Sequence, residues 1–262
     1  MRSGLQVFGV LAGLAMCAGT VLADGTLQWV GSGPGNANGG GIFTFKMVSD
    51  AAGGNAYSTG GWAGEQGEDG IGSQWQTFCI ETLEHISGTC YRGVTGTTVV
   101  SGTADPARFT GGDVMPSLAF RQTLQPQTAF LYSGFRAGSL ASVSGCGSNN
   151  PASVSGTEAN ALQAAIWYSQ GQVGSNWIST SYTSTTVTLI NNLLAYANAN
   201  SSSAYWVAGG NVRVMNTFTG SAGNWTNAQS QLMLLPLPAE TTMAGIGLMG
   251  LIGVRAVRRR RS

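Results

Sequence analysis

Short hydrophobic stretches separated by glycine-rich turns dominate the chain after residue 23. Residues 26–48 contain two such stretches, "LQWVG" and "GIFTFKMV", and residues 75–82 contain a third, "WQTFCIET". Hydrophobic runs of this length, bounded by glycine and polar residues, are typical of β-strands. The pattern returns in residues 204–220 and 227–238. Both ends of this part of the chain are therefore predicted to form strands.

The hydrophobic period changes to that of a helix between the two strand-rich regions. Three segments show it: residues 116–140, 155–172 and 183–201. The middle segment has the clearest boundaries, because Ser155 or Thr157 can cap its first turn, Glu158 lies in that turn and Gly171 can end it. Each segment is predicted to contain one helix.

The order strands, helices, strands predicts an α+β fold. We expect a β-rich barrel or sandwich closed by its first and last strands, with a helical insertion at about residues 114–200. Residues 24–235 form one predicted domain, which is long enough for a single hydrophobic core. Only 9% of the residues are charged and 43% are hydrophobic. This composition favours an extracellular β-rich protein over a cytoplasmic enzyme.

The first 23 residues have the pattern of a signal peptide. Arg2 precedes a hydrophobic run that ends in "VLA", and small residues of this kind precede the cleavage site of signal peptidase. We expect the mature chain to begin near Asp24. The protein is therefore predicted to be exported, to the cell surface or the extracellular space.

Residues 236–262 contain a second targeting pattern. Pro236 and Pro238 precede a hydrophobic run at residues 241–254. A cluster of arginines follows: Arg255, Arg258, Arg259, Arg260 and Arg261. The run is shorter than the roughly 20 residues that usually cross a bilayer, but arginine side chains can extend it by reaching the interface. The arginines predict that their side of the run stays cytoplasmic.

A short proline motif, a hydrophobic helix and a basic cluster, in this order, resemble the sorting tail of PEP-CTERM proteins. This resemblance implies an exosortase-type processing enzyme as a partner. It also implies transient anchoring in the membrane by the C-terminal helix before cleavage. The sequence departs from the family at one point, since it has Pro-Leu-Pro where Pro-Glu-Pro is usual. A permanent transmembrane helix is the alternative.

The predicted mature region is mildly acidic. Six of the 12 basic residues remain once Arg2 and the C-terminal arginines are removed, whereas Glu240 is the one acidic residue lost of 11. Six basic and ten acidic residues give this region a net charge of −4. Nucleic-acid-binding domains are usually basic, so we expect no nucleic-acid partner.

Enzymatic or metal chemistry has little support in the sequence. A cysteine nucleophile needs a base within hydrogen-bond reach, and His85 is the single histidine of the chain. Cys79 and His85 could not readily face each other on one strand. One histidine and scattered cysteines also give no metal-ligand spacing. We therefore predict neither an enzyme nor a metal or cofactor site.

Disulfides are possible in an exported protein. Three cysteines remain after loss of the signal peptide, so one of them is left unpaired. Cys90 and Cys146 lie in Gly/Ser-rich segments where a bridge forms with little strain, and pairing them leaves Cys79 alone on its strand. A Cys79–Cys90 bridge, which would close a small hairpin, is the alternative.

Three short motifs then resemble those of the thioester domains of bacterial surface adhesins. The first is Phe78-Cys79-Ile80-Glu81, on a strand. The second is the helical segment "LQAAIW", residues 162–167, in which Leu162 replaces the usual threonine. The third is "AQSQLM", residues 228–233, on the last strand. Together the motifs span about residues 75–235.

The resemblance implies an internal thioester between Cys79 and Gln229. Gln231 is the rival acyl donor, because residues two positions apart lie on the same face of a strand. Gln163 is expected to support the bond by hydrogen bonding, and Trp167 and Phe78 to shield it from water. The predicted function is covalent capture of an amine or other nucleophile on a surface or matrix partner, which is a single-use reaction. The alternative is a non-reactive surface or biofilm-matrix protein in which Cys79 is a thiol or disulfide partner.

Overall fold

The computed structural model describes residues 24–35, 41–50, 74–83, 86, 90–96, 98–99, 108, 122–147, 153–201, 212–221 and 224–234. The strands in these parts are β1 (Asp24–Ser32), β2 (Ile42–Asp50), β3 (Gln74–Phe78), β4 (Cys90–Gly96), β5 (Thr98–Val99), β6 (Gln122–Thr123), β7 (Val212–Ser221) and β8 (Asn224–Leu234). The helices are α1 (Pro126–Arg136), α2 (Gly156–Ser169), α3 (Ser175–Ser181) and α4 (Ser184–Asn200), with a short 3-10 helix at Ser139–Ser142.

Six strands form one antiparallel sheet, in the order β3-β2-β1-β4-β7-β8. The two-residue strands β5 and β6 pair with each other outside it. The two edge strands of the large sheet approach each other where β3 ends, because Cys79 forms an isolated antiparallel bridge with Gln231 of β8. The N–H of Ile80 also donates a hydrogen bond to the carbonyl of Ser230, at 3.0 Å.

This strand order corrects one expectation. The first strand does not meet the last one, because β1 lies inside the sheet between β2 and β4, and β3 is the strand that approaches β8. The hydrophobic pattern identifies strands but does not specify which strands pair over a long sequence separation. Full closure of the sheet into a barrel or sandwich stays a prediction.

The α-helices described all lie between β6 and β7, within the segment expected to be helical. The helices predicted in residues 155–172 and 183–201 are confirmed as α2 and α4. Ser155 caps α2 in a reciprocal capping box, in which its side chain accepts from the N–H of Glu158 and its own N–H donates to that carboxylate. Gly171, with a φ of 69°, follows the end of α2 and can adopt this left-handed conformation without a steric penalty.

Helix α1 secures β3 from one side. Tyr132 and Arg136 of α1 both donate hydrogen bonds to the carbonyl of Gln76, at 2.9 and 2.8 Å. The ring of Phe78 packs edge-on against Phe135, with 5.1 Å between the ring centroids. Because α1 fixes both the backbone and a large side chain of β3, the position of Cys79 at the end of this strand is well determined.

Helix α2 lies in the centre of the helical layer. It packs against both α1 and α4, and its buried residues are spread around most of its circumference: Glu158, Ala159, Ala161, Leu162, Gln163, Ala164, Ala165, Ile166 and Trp167. A helix that is apolar all round is typical of a protein interior. Glu158 of the first turn and Gln163 are the polar residues in this set. Gln163 is 1% exposed, so it requires hydrogen-bond partners inside the protein.

Both predicted targeting segments, residues 1–23 and 236–262, lie outside the described residues, as does His85. Pro236, Pro238 and Arg258–Arg261 therefore have no structural account. In the parts of the chain that the structure describes, no helix combines the length and the hydrophobicity needed to cross a membrane.

The capping box of α2 makes a first prediction. Ser155→Ala removes the side-chain acceptor for the Glu158 N–H, so we expect the free energy of unfolding to fall by about 1 kcal/mol. Urea unfolding monitored by circular dichroism measures this change. Thr185→Ala, at an exposed position of α4, is the matched control and is expected to change it by less than about 0.5 kcal/mol. Equal effects of the two substitutions would contradict the assigned cap.

A buried thiol and amide site

Cys79 lies at the point where β3 meets the last strand. The bridge pairs it directly with Gln231 of β8, and residues opposite each other in an antiparallel pair place their side chains on the same face, with Cβ atoms about 5 Å apart. Both residues are 0% exposed. A thiol and a primary amide therefore occupy neighbouring positions in a region closed to solvent.

The amide of Gln163 holds Cys79 from the helical side. Its Oε1 accepts hydrogen bonds from the backbone N–H of Cys79 and from the thiol, both at 3.2 Å. Its Nε2 donates to the carbonyl of Cys79 at 2.8 Å. The N–H of Gly41, next to β2, also donates to Oε1 at 3.4 Å. Gln163 thus satisfies both backbone groups of Cys79 and orients its sulfur, whereas its support of a thioester stays a prediction.

Glu81 connects the same stretch of chain to β8. Its carboxylate accepts a hydrogen bond from the backbone N–H of Ser230, and its carbonyl accepts one from Nε2 of Gln229, each at 3.0 Å. Ser230 in turn donates its hydroxyl to Asn216 of β7 at 3.2 Å. These bonds fix the register in which Gln231 lies opposite Cys79.

The two candidate acyl donors differ in their surroundings. Gln229 uses its amide nitrogen to reach the carbonyl of Glu81 and lies two residues from the position opposite Cys79. Gln231 lies in that position, and its Nε2 donates to the carbonyl of Gln229 at 3.2 Å. Its Oε1 is buried and accepts no hydrogen bond from the residues that the structure describes. The register therefore places the rival donor, Gln231, nearer to Cys79 than Gln229.

A second group of buried glutamines holds the turn that follows Cys79. Oε1 of Gln172 accepts from the N–H of Thr82 at 3.3 Å, and Nε2 of the same residue donates to Gln122 at 3.0 Å. Gln122 donates to the carbonyl of Gln170. The sequence analysis did not single out these residues. The one available signal was the recurrence of glutamine at the end of α2, which alone does not distinguish a buried network from a solvated surface.

Trp167 lies one helical turn beyond Gln163 on α2 and is 1% exposed. Its indole packs edge-on against Trp177, with 6.4 Å between the ring centroids. Both rings contact the guanidinium of Arg108. Trp167 is therefore buried against Trp177 and Arg108, and its role in shielding the site from water stays a prediction. Arg108 was missed by the sequence analysis.

The thiol of Cys79 is in an environment that disfavours its ionisation. Burial raises the pKa of Cys79 well above its ordinary value, and the charge of Glu81 acts in the same direction. A backbone hydrogen bond and the positive charge of Arg108 act in the opposite direction. Cys79 is consequently a neutral thiol at physiological pH, protected from the oxidation that thiolates undergo.

The two cysteines of the predicted disulfide lie in different parts of the fold. Cys146 is buried, in the turn after the 3-10 helix. Cys90 begins β4 rather than lying in a loop, but its side chain is outside the described residues. The Cys90–Cys146 bridge therefore stays a prediction.

Among the residues whose structure is described, no three histidine, cysteine or acidic side chains are grouped so as to hold a metal ion. No family model, curated protein or solved structure matches the chain. The resemblance to thioester domains and to PEP-CTERM tails consequently depends on the short motifs alone.

Gln163 generates a second prediction. Gln163→Leu leaves the N–H and C=O of Cys79 buried without their partners, and each such group costs roughly 1–3 kcal/mol. We expect the free energy of unfolding to fall by about 3 kcal/mol, measured by urea unfolding. Gln125→Leu, which affects a side chain with one exposed hydrogen bond, is the control and should cost less than about 1 kcal/mol. A Gln163→Leu protein as stable as the Gln125→Leu control would contradict the assignment of Gln163 as the hydrogen-bond partner of the Cys79 backbone.

Proposed function

We propose that this protein is an exported surface protein that forms an internal thioester and uses it to capture a nucleophile covalently. The observation that carries the proposal is the direct pairing of Cys79 with Gln231 in a solvent-free site. The three motifs of the sequence converge on this site, since Cys79, Gln163 and Gln231 come from the strand, the helix and the final strand respectively.

The reaction is balanced without any cofactor or oxidant. The Cys79 sulfur bonds to the side-chain carbonyl carbon of the glutamine, the carbon–nitrogen bond breaks, and the thiol proton leaves with the nitrogen as ammonia. Holding the two groups in fixed geometry supplies much of what an enzyme would otherwise provide. Exclusion of water then preserves the thioester, because water would hydrolyse it.

The surroundings of the two glutamines favour Gln231 as the acyl donor. Its carbonyl oxygen accepts no hydrogen bond within the described parts of the chain, and its position is opposite Cys79. Gln229, the donor implied by the family motif, is bonded through its amide nitrogen to the carbonyl of Glu81. We therefore assign acyl donation to Gln231 and a bracing role to Gln229.

Capture replaces the thioester bond by a bond to a new nucleophile. An amine attacks the thioester carbonyl, an amide bond to the partner forms, and Cys79 recovers its proton as a free thiol. Leu83, four residues beyond Cys79, is exposed, so the chain reaches the surface within four residues of the buried thiol. An export signal and a sorting tail at the two ends of the chain fit a protein that makes this bond to a surface or matrix partner.

Intact-mass analysis tests the proposal. We expect the mass of the purified protein to be lower by one ammonia than the mass calculated from its sequence. Methylamine should attack the thioester and label Gln231. Cys79→Ala and Gln231→Ala should each abolish the deficit and the labelling. Gln229→Ala should retain both, because this residue braces the strand without donating the acyl group.

Two results would change the conclusion. A deficit retained in Gln231→Ala but lost in Gln229→Ala would reassign the donor to Gln229. A full sequence mass in the wild-type protein, together with a Cys79 thiol that reacts with alkylating reagents after unfolding, would refute the thioester. It would support the alternative of a non-reactive surface or matrix protein.

A further inference from the structure

Strand β8 contains a β-bulge directly before the position that faces Cys79. In its pairing with β7, one residue of β7, Asn216, lies opposite two residues of β8, Gln229 and Ser230. The pairs on the two sides of this irregularity are Thr217 with Ala228 and Met215 with Gln231. An extra residue of this kind interrupts the ladder of backbone hydrogen bonds and redirects the side chains that follow, and such bulges are common beside active sites.

Buried side chains bond to the residues of the bulge. The carboxylate of Glu81 accepts a hydrogen bond from the N–H of Ser230 at 3.0 Å. The hydroxyl of Thr217 donates to the carbonyl of Gln229 at 2.8 Å, and the hydroxyl of Ser230 donates to Asn216 at 3.2 Å. All five residues are buried. A buried backbone group that loses its partner is costly, so these bonds favour this one position for the extra residue.

The position of the bulge determines which residue of β8 meets Cys79. Cys79 and Met215 both pair with Gln231, so the three residues form one row across the strands. If the register of the preceding pairs continued without an extra residue, Ser230 would lie opposite Met215 and would take the place of Gln231 in this row. A serine side chain has no carbonyl group, so it could not form a thioester with the cysteine.

The pairing also brings the two reacting side chains close together. The N–H of Ile80 donates to the carbonyl of Ser230 at 3.0 Å. This bond joins the residues that flank Cys79 and Gln231, which are therefore a non-hydrogen-bonded pair of an antiparallel ladder. The Cα atoms of such pairs are about 4.5 Å apart, and their side chains are closer than those of hydrogen-bonded pairs. The bulge thus places Gln231 in the nearest cross-strand position to the thiol.

We propose that Glu81 is a positioning residue for the thioester reaction, because its carboxylate holds the β-bulge that places Gln231 opposite Cys79. This inference rests on the proposed function and adds to it the residue that selects the acyl donor. Glu81 acts through the backbone of Ser230 rather than on the reacting atoms. The segment that carries the nucleophile therefore also sets the register of the strand that carries the acyl group.

The rate of ammonia loss in Glu81 variants tests the inference. Glu81→Leu leaves the N–H of Ser230 without its acceptor, so the extra residue can move along β8. We expect the ammonia deficit of newly folded protein to appear at least about 10-fold more slowly, the change in a register equilibrium that loss of one buried hydrogen bond produces. Glu81→Gln keeps an acceptor oxygen and should restore the rate to within about 3-fold of wild type. Intact mass followed over time measures both rates.

Deletion of Ser230 separates this role from general support of the fold. Without this residue β7 and β8 can pair without a bulge, and Gln231 stays opposite Met215 and Cys79. Combining the deletion with Glu81→Leu should therefore raise the rate of ammonia loss again, to within about 10-fold of wild type. A purely structural role of Glu81 predicts a further loss instead, because two destabilising changes are combined.

Two further variants complete the comparison. Ser155→Ala weakens α2 and leaves the bonds of the bulge in place, so it should form the thioester at the wild-type rate. Thr217→Val removes the bond to the carbonyl of Gln229 and should slow formation by about 10-fold. It replaces Glu81→Leu in the test if that variant does not fold. The contrast between Glu81→Gln and Glu81→Leu decides if the double variant does not fold.

The outcomes distinguish this inference from the proposed function. A wild-type rate in Glu81→Leu, or in Thr217→Val where it is the substitute, would overturn the inference. Equal slowing in Glu81→Gln and Glu81→Leu, or a folded double variant no faster than Glu81→Leu, would do the same. A thioester at Gln229 in the wild-type protein would overturn the inference and leave the proposed function intact. Absence of the ammonia deficit in the wild-type protein would refute the proposed function itself.

Discussion

The pairing of the end of β3 with β8 is the contact on which the rest of this structure depends. Cys79 and Gln231 are far apart in sequence. They meet because three separate contacts fix the backbone on the two sides of the junction. Helix α1 fixes the carbonyl of Gln76, Gln163 of α2 fixes both backbone groups of Cys79, and Glu81 fixes the N–H of Ser230. In the described parts of the chain, Oε1 of Gln231 is a buried polar atom of this junction that accepts no hydrogen bond.

The chemistry proposed for the site follows from its dryness as much as from its residues. The same burial that disfavours ionisation of the thiol also keeps water from the product, so one environment slows formation of the bond and prolongs its lifetime. A neutral thiol is compatible with such a site, whereas a free thiolate would not be stable there.

Local patterns in the sequence were sufficient to predict the helices and the residue types of the site, but not their arrangement. The capping box of α2 and the ends of α2 and α4 depend on neighbouring residues, and they were found in the predicted places. The strand order depends on contacts between distant residues, so the expected meeting of the first and last strands was wrong. The choice between Gln229 and Gln231 depends on a register that spacing alone cannot fix. Arg108 lies outside every recognisable motif, and its contacts with Trp167 and Trp177 exist in three dimensions only.

The position of Gln231 on the final strand has a mechanical consequence for the protein on a cell. If the captured partner is bonded to this side chain and the tail is joined to the surface, tension between them runs along the short covalent path from residue 231 to Pro236. The remainder of the domain lies outside that path and carries little load. Such an attachment would resist shear through bond strength, so the tether could hold even where the fold itself is only modestly stable.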